Sequence, residues 1–175
     1  MVDGYPLLTA CLPRLRRYAR ALVSDTSLAD DLVQDTLERA WHKLELWRPS
    51  DDMRAWLFGI MHNLHVNQVR KTRLPTVTLD DEALTAPTRA TQSDNLEVRD
   101  LHTALQLLPR EQRAVLLLVA LEQMTYQEIA LSLEIPIGTV MSRLARGREK
   151  LRLLMEGATA NPAPPSSTAT LKLVK

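Results

Sequence analysis

Two stretches of this 175-residue chain carry side chains spaced for contact with another molecule. From Ser24 to Glu38 there are five acids (Asp25, Asp30, Asp31, Asp35 and Glu38) and no Lys or Arg. From Thr139 to Arg152 there are five bases (Arg143, Arg146, Arg148, Lys150 and Arg152) against one acid, Glu149. At 100° per residue Asp31, Gln34, Asp35 and Glu38 fall on one helical stripe with His42 and Glu45, an acidic face that can meet a partner or simply be solvated. In the basic stretch Ser142, Ala145, Arg146 and Glu149 point away from a core stripe of Val140, Leu144 and Leu151. Ser142 and Arg146 are placed to reach base edges, and an arginine can bond guanine bidentately. Arg143, Arg148 and Lys150 suit phosphates, which position a helix without reading sequence. The formal net charge of +1 hides this segregation, and local patches rather than the sum decide partners.

Other chemistry is poorly supplied. His62 and His65 stand three apart on a helix, but no carboxylate or thiol in that segment completes a ligand set. A core or nucleic-acid-facing role is expected for them, and no metal or cofactor. The acidic pairs Asp30-Asp31, Asp51-Asp52 and Asp80-Asp81 sit at helix starts or between helices, where they favour the dipole or are solvated. The five glycines form no phosphate-binding loop, and no nucleophile is paired with a base, so catalysis by the chain is not expected. A lone Cys11 makes neither an internal disulfide nor a zinc site. The longest apolar run, Ala114 to Leu121, is far below the ~20 residues that span a bilayer. The N-terminal segment lacks the order of a signal peptide, its basic cluster following the apolar residues. No membrane insertion and a cytoplasmic location are expected.

The elements that must hold these side chains are helical. With one Phe, three Tyr and three Trp, the core has to be built from Leu, Val, Ile, Ala and Met, which favours an all-α fold. The pattern divides into a helical domain over 1–74, a linker over 75–92, a second helical domain over 93–155 and a tail over 156–175. The linker gathers Pro and Thr around an acidic patch, and the tail is too rich in Pro, Ser, Thr and Ala to pack. In the first domain Pro13 is expected near the start of one helix. The next helix is expected to begin after Ser27, with Asp30 at an approximate capping-box spacing. Its inner side holds Leu28, Leu32, Val33, Ala40, Leu44 and Trp47. A third helix follows Pro49-Ser50.

In the second domain "NLEVRDLHTALQLL" is a helix ended by Pro109, and "REQRAVLLLVAL" is apolar enough to be buried on most sides. Thr125 and Glu128 then give a T-x-x-E capping box for a short helix carrying Ile129, Ala130 and Leu133 inward. Glu134-Ile135-Pro136 breaks it, and the basic helix starts near Pro136 or Ile137. This is a helix-turn-helix, whose second helix enters the DNA major groove. Its turn position usually favours Gly, and a left-handed Glu134 would cost about 1 kcal/mol.

"LPREQRAVLLLVALEQMTYQEIALSLEIPIGTVMSRLARGREKLR" closely resembles region 4 of the extracytoplasmic-function (ECF) branch of sigma-70 factors. "LADDLVQDTLERAWHKL" and "MRAWLFGIMHNLHVNQVRK" resemble region 2 of the same family, in the right order and at the right separation. The resemblance implies a transcription initiation factor that binds core RNA polymerase, recognises promoter DNA and serves a stress- or signal-responsive regulon. It implies that Asp31, Gln34, Asp35 and Glu38 dock on the β′ clamp helices. Asn63, Asn67, Arg70 and Lys71 then match the surface for the −10 element and its opened strand. Thr139, Met141, Ser142, Arg143, Ala145 and Arg146 match the −35 readers. The second domain is expected to dock on the polymerase β flap, and an anti-sigma factor to be a partner. Met141 and Ala145 depart from the polar or larger residues of many relatives, although Met141 can touch a thymine methyl. Gln123 and Glu134 stand where relatives often have Gly. Two other classes fit less of the sequence: a stand-alone helix-turn-helix regulator, which gains nothing from the acidic stripe, and a helical adaptor, which needs no basic recognition helix.

Overall fold

The computed structural model describes residues 4–48, 52–72 and 94–159, with 69–72, 94–97 and 158–159 given by backbone alone. Among the described residues there are seven α-helices and no strand: α1 Gly4–Leu22, α2 Thr26–His42, α3 Met53–Thr72, α4 Asp94–Gln106, α5 Arg110–Glu122, α6 Tyr126–Leu133 and α7 Ile137–Thr159. A single 3-10 turn, Leu44–Leu46, follows α2. The expected linker over 75–92 lies outside the described residues, as does the tail beyond 159. No helix among the described residues is long and apolar enough to cross a membrane.

Helices α1, α2 and α3 pack on one another around Leu15, Tyr18, Leu22, Leu32, Leu57, Phe58 and Met61, all essentially without solvent contact. Tyr18 and Phe58 meet edge to face at 5.0 Å, a favourable aromatic geometry. Helices α4 to α7 form the second domain, with α5 and α6 against α7 and Val115, Leu118, Ile129, Val140 and Leu144 inside. The two domains also pack on each other, α3 against α6 and α1 against α5, and their apolar residues join in one continuous core.

The local signals differ from expectation at three places. α1 begins at Gly4, so Pro13 is interior rather than near the start. Pro13 is exposed, as is Thr9, whose carbonyl Pro13 cannot serve, while Leu8 and Leu15 anchor the helix on either side of it. α2 begins at Thr26 and is capped by Asp25, whose side chain accepts from the Leu28 N–H at 2.9 Å. Asp25 displaces the later start after Ser27 because an aspartate is as good a cap as serine and adds charge at the dipole's positive end. Leu28, expected inside, is 58% exposed, because it lies about 100° round the helix from the middle of the stripe of Ala29, Leu32, Val33, Thr36 and Ala40 that is buried.

The helix-turn-helix forms as its sequence dictates. The Glu128 N–H donates to the Thr125 hydroxyl at 3.2 Å and the Thr125 N–H to the Glu128 carboxylate at 2.6 Å, completing the capping box. At the other end Glu134 adopts φ 55°, ψ 42°, and the Ile135 N–H bonds back to the Ala130 carbonyl at 3.0 Å, a left-handed helix stop. Gln123 ends α5 the same way at φ 53°. Both left-handed residues are non-glycine. Glu134→Gly is therefore expected to stabilise the protein by up to about 1 kcal/mol, the relief of strain exceeding the added freedom of the unfolded chain. Urea denaturation checks this, and a lower midpoint than wild type would refute it.

Candidate protein- and nucleic-acid-binding faces

Burying Ala29, Leu32, Val33, Thr36 and Ala40 on one side of α2 turns its other side outward. Asp31, Gln34 and Glu38 are exposed there and Asp35 is half-buried. The structure therefore gathers all four residues on one outer face, but not as equals. The Asp35 carboxylate accepts from the Gln68 amide of α3 at 3.0 Å, so part of it is spent on holding α2 to α3. The face is also less purely acidic than its sequence. Between α1 and α2 runs a groove of about 830 Å³ lined by Leu12, Arg16, Arg20, Gln34, Leu37, Glu38 and Trp41 among others. Arg20 approaches Asp30 at 3.7 Å across it. Trp41, 57% exposed, tilts against Tyr5 at 4.4 Å. A partner meets mixed charge over an apolar floor.

On α3, Asn63 and Asn67 are both exposed, one turn apart on the same side of the helix. The side chains of Arg70 and Lys71 lie outside the described residues. Trp56 is half-buried and, with Asn63, lines a cleft of about 520 Å³ between α3 and α6 that also holds Asp52, Glu128, Leu131, Ser132 and Glu134. Leu57 is fully buried. His62 and His65 lie on the inner side of the same helix, buried, and His62 Nδ1 and His65 Nε2 have no hydrogen-bond partner among the described residues.

Burial, then the Arg143 charge, hold His62 below the usual imidazole value, with Glu111 opposing. Burial, then Arg110, His62 and Arg113, push His65 down to about 4. The folded state thus binds fewer protons than the unfolded chain below pH 6.5. The stability that neutral His65 contributes is complete above about 6.5 and is lost as pH falls toward 4. The unfolding free energy of wild type is expected to fall across that window more steeply than that of His65→Leu. Parallel slopes in urea titrations at several pH values would contradict the assignment.

In the second domain α7 turns Val140 and Leu144 into the core and leaves Met141, Ala145 and Arg146 exposed, Met141 by 53%. Thr139 and Ser142 are half-buried, and the Ser142 hydroxyl donates to the Thr139 carbonyl at 3.1 Å. Two of the five bases are already engaged within the protein. Arg143 is 23% exposed and sits 3.6 Å from Glu111 of α5. Arg152 pairs with Glu149 at 2.8 Å and Glu156 at 2.6 Å, and its hydrogen bonds, that to Glu149 first, hold it further toward the charged form. The same Arg152 hydrogen bond lowers the Glu149 carboxyl. Arg146, Arg148 and Lys150 are exposed and pair with none of the described residues. Arg146 and Lys150, one turn apart, leave a basic edge along α7, and Arg148 lies on the opposite flank of the helix, the side of Met141. The helix runs past Met155 to Thr159, which the Arg152–Glu156 pair supports.

Sequence reasoning overlooked the residues that join the domains. Gly59 of α3 is one: a Cβ there would lie 2.5 Å from the Ser132 carbonyl oxygen of α6. A glycine inside a long helix is unfavourable by about 1 kcal/mol, and that was the available signal of a close backbone approach. Arg113 and Glu122 are the others, charged residues in an apolar helix that proves to be buried.

Residues 8–62 match the family described as the Sigma2 domain of PhyR, and residues 99–151 match Sigma-70, region 4. The chain is 35% identical over 162 residues to the ECF RNA polymerase sigma factor EcfG of Rhodopseudomonas palustris, an alignment spanning 92% of this chain and 90% of that one. It is 34% identical over 149 residues to the ECF RNA polymerase sigma factor SigL of Mycobacterium tuberculosis, spanning 81% and 82% of the two. Among solved structures it is similar to the sigma factor RpoE in complex with the anti-sigma factor NepR from Bartonella quintana. That match has a TM-score of 0.72 and 32% identity over 89% of this chain and 98% of the other. The folded domains, their order and these likenesses agree: the chain belongs to the ECF family of RNA polymerase sigma factors, which bind core RNA polymerase and direct it to promoters to initiate transcription.

Proposed function

We propose that each domain carries one recognition task on the faces described above. The outward side of α2, with Asp31, Gln34, Glu38 and part of Asp35, docks on the β′ clamp helices, and the second domain on the β flap. The carrying observation is that Asp31, Gln34 and Glu38 are exposed together while the apolar side of α2 is buried. Asn63 and Asn67 engage unpaired bases of the −10 element through their amides, and Arg70 and Lys71 follow the strand's backbone. The N-terminal part of α7 reads the −35 element. Met141 and Ala145 offer apolar contact to thymine methyls, and Arg146 offers bidentate bonds to a guanine. Thr139 and Ser142 stand beside them with partly committed hydroxyls. Arg148 and Lys150 reach phosphates, and Arg143 does so only by leaving Glu111. The polymerase supplies the chemistry and this chain supplies recognition, working in the cytoplasm. Since a relative of known structure was captured with an anti-sigma factor, a protein antagonist belongs to this reading.

Arg146→Ala is expected to weaken promoter binding by the polymerase complex by about 1–3 kcal/mol and to relax selectivity at one base pair. Arg148→Ala is expected to weaken binding evenly across sequences and to lower the salt slope by about one. Competition binding on a set of single-base promoter variants separates the two. Unchanged selectivity in Arg146→Ala would remove that residue from base reading.

A further inference from the structure

Gly147 stands in the middle of α7 and is buried against α5. A Cβ there would meet the Gln112 Cβ at 3.3 Å, the Gln112 carbonyl oxygen at 3.4 Å and the Leu116 Cδ1 at 3.6 Å. A glycine weakens a helix interior, and here it lets α7 lie close on the first turns of α5. That approach carries Arg143, one turn before Gly147, to Glu111, the neighbour of Gln112, with 3.6 Å between guanidinium and carboxylate. Among the described residues neither side chain has a second ion pair.

The contact is built to be exchanged. At 3.6 Å it is a charge pair without a hydrogen bond, and the Glu111 side chain is 64% exposed. Arg152, by contrast, is held to Glu149 and Glu156 by hydrogen bonds of 2.8 Å and 2.6 Å. A carboxylate that oriented Arg143 for DNA would hold it in that second way; a bare charge contact competes with DNA instead. An arginine–phosphate pair is shorter and often bidentate, so a phosphate within reach takes the guanidinium from Glu111. Arg143 also precedes Arg146 by three residues and Lys150 by seven, the spacing that keeps one side of a helix. Released, it becomes the third cation of that edge.

We infer that Glu111 is a positioning residue for DNA binding: it is the resident counter-ion of Arg143, stands in for a backbone phosphate, and restrains the affinity of α7 for every duplex alike. The inference rests on the assignment of α7 to the −35 element. Phosphates carry no sequence information, so what Glu111 withholds is the sequence-independent part of binding, and discrimination is left to the side chains that reach base edges. Glu111 also lies in the first turn of α5, where a negative charge suits the helix dipole. A purely structural role there predicts lower stability when the charge is removed and no change in DNA binding.

The test is Glu111→Gln in the full chain bound to core RNA polymerase, titrated against a labelled duplex carrying a mapped promoter and against the same duplex with its −35 element scrambled. Both affinities are expected to rise by about two- to fivefold, with the ratio between them unchanged. The dependence of log affinity on log salt is expected to steepen by up to about 0.9, one further phosphate contact. In an Arg143→Ala background the same substitution is expected to change neither quantity. Unchanged affinity and salt slope in Glu111→Gln, with or without a lower urea midpoint, overturn the inference and leave Glu111 as a helix-start charge. A gain that persists in Arg143→Ala overturns it as well, since Glu111 then repels DNA by its own charge. Either result leaves the assignment of α7 standing. A wild-type complex that does not prefer the promoter to the scrambled duplex overturns that assignment and the inference with it.

Discussion

Arg113→Ala is expected to destabilise the protein by about 3–5 kcal/mol, far more than an ordinary surface arginine. Arg113 is 7% exposed, and its guanidinium donates to the carbonyls of Leu22 at 2.7 Å, Gln106 at 2.6 Å and Leu108 at 3.1 Å, and to the Gln106 side chain. Burial, and then the Arg110 charge, push it down to about 10, so it remains a cation at neutral pH. Alanine would leave three carbonyl groups without their donor in a closed site, at about 1–3 kcal/mol each before water enters to relieve part of it. One of those groups belongs to the other domain, so the loss also loosens the packing of α5 on α1. Urea denaturation followed by circular dichroism checks the value. A loss below about 1 kcal/mol would mean that the site opens to water at little cost.

Asp31→Arg/Glu38→Arg is expected to lower affinity for core RNA polymerase by at least ~100-fold, while leaving the helical circular dichroism unchanged. Both side chains are exposed, and reversing their charge turns attraction to a basic partner into repulsion. Close charge pairs at protein interfaces have coupling energies of about 1.5–7 kcal/mol. Asp35 is the poorer target because its carboxylate also holds Gln68, and a change there would disturb α3. Fluorescence anisotropy of labelled protein titrated with core enzyme gives the affinity. Wild-type binding by the double variant would move the docking face elsewhere, the groove between α1 and α2 with Trp41 and Arg16 being next.

Signals local in sequence translated directly into structure. Thr125 and Glu128 are three residues apart, and both bonds of the capping box are present. Val140 and Leu144 lie one turn apart, and both are buried. Glu134 takes the left-handed turn at its own cost because the Ala130 and Leu131 carbonyls must be closed and because helices on both sides are held by the core. The acidic stripe of α2 was equally plain, since burial of one side of a helix fixes what the other side shows.

What could not be read depended on residues far apart in the chain. Arg113 sits in "REQRAVLLLVAL" like any helix-start charge, and only the folded chain brings the Leu22 carbonyl to it. Glu122 reads as a solvated helix end but is enclosed by Arg14 and Arg17 from α1. The apolar pattern alone put Leu28 on the inner side of α2, yet the buried stripe that the neighbouring helices select is centred on Ala29, Leu32, Val33, Thr36 and Ala40 and leaves Leu28 at its edge. The same limit hid the partnership of Arg143 with Glu111. Two helical domains follow from the sequence pattern; their packing on one another does not, because each is patterned to bury its own core.

The most direct measurement is transcription in vitro from fragmented genomic DNA of the source organism, with core RNA polymerase, this chain or both, followed by mapping of transcript 5′ ends. The account predicts discrete start sites only when both are present, preceded by two shared sequence elements at constant spacing. It also predicts that those starts are lost with Asp31→Arg/Glu38→Arg. Discrete binding of this chain to duplex DNA without polymerase, together with no new start sites when the two are combined, would contradict it.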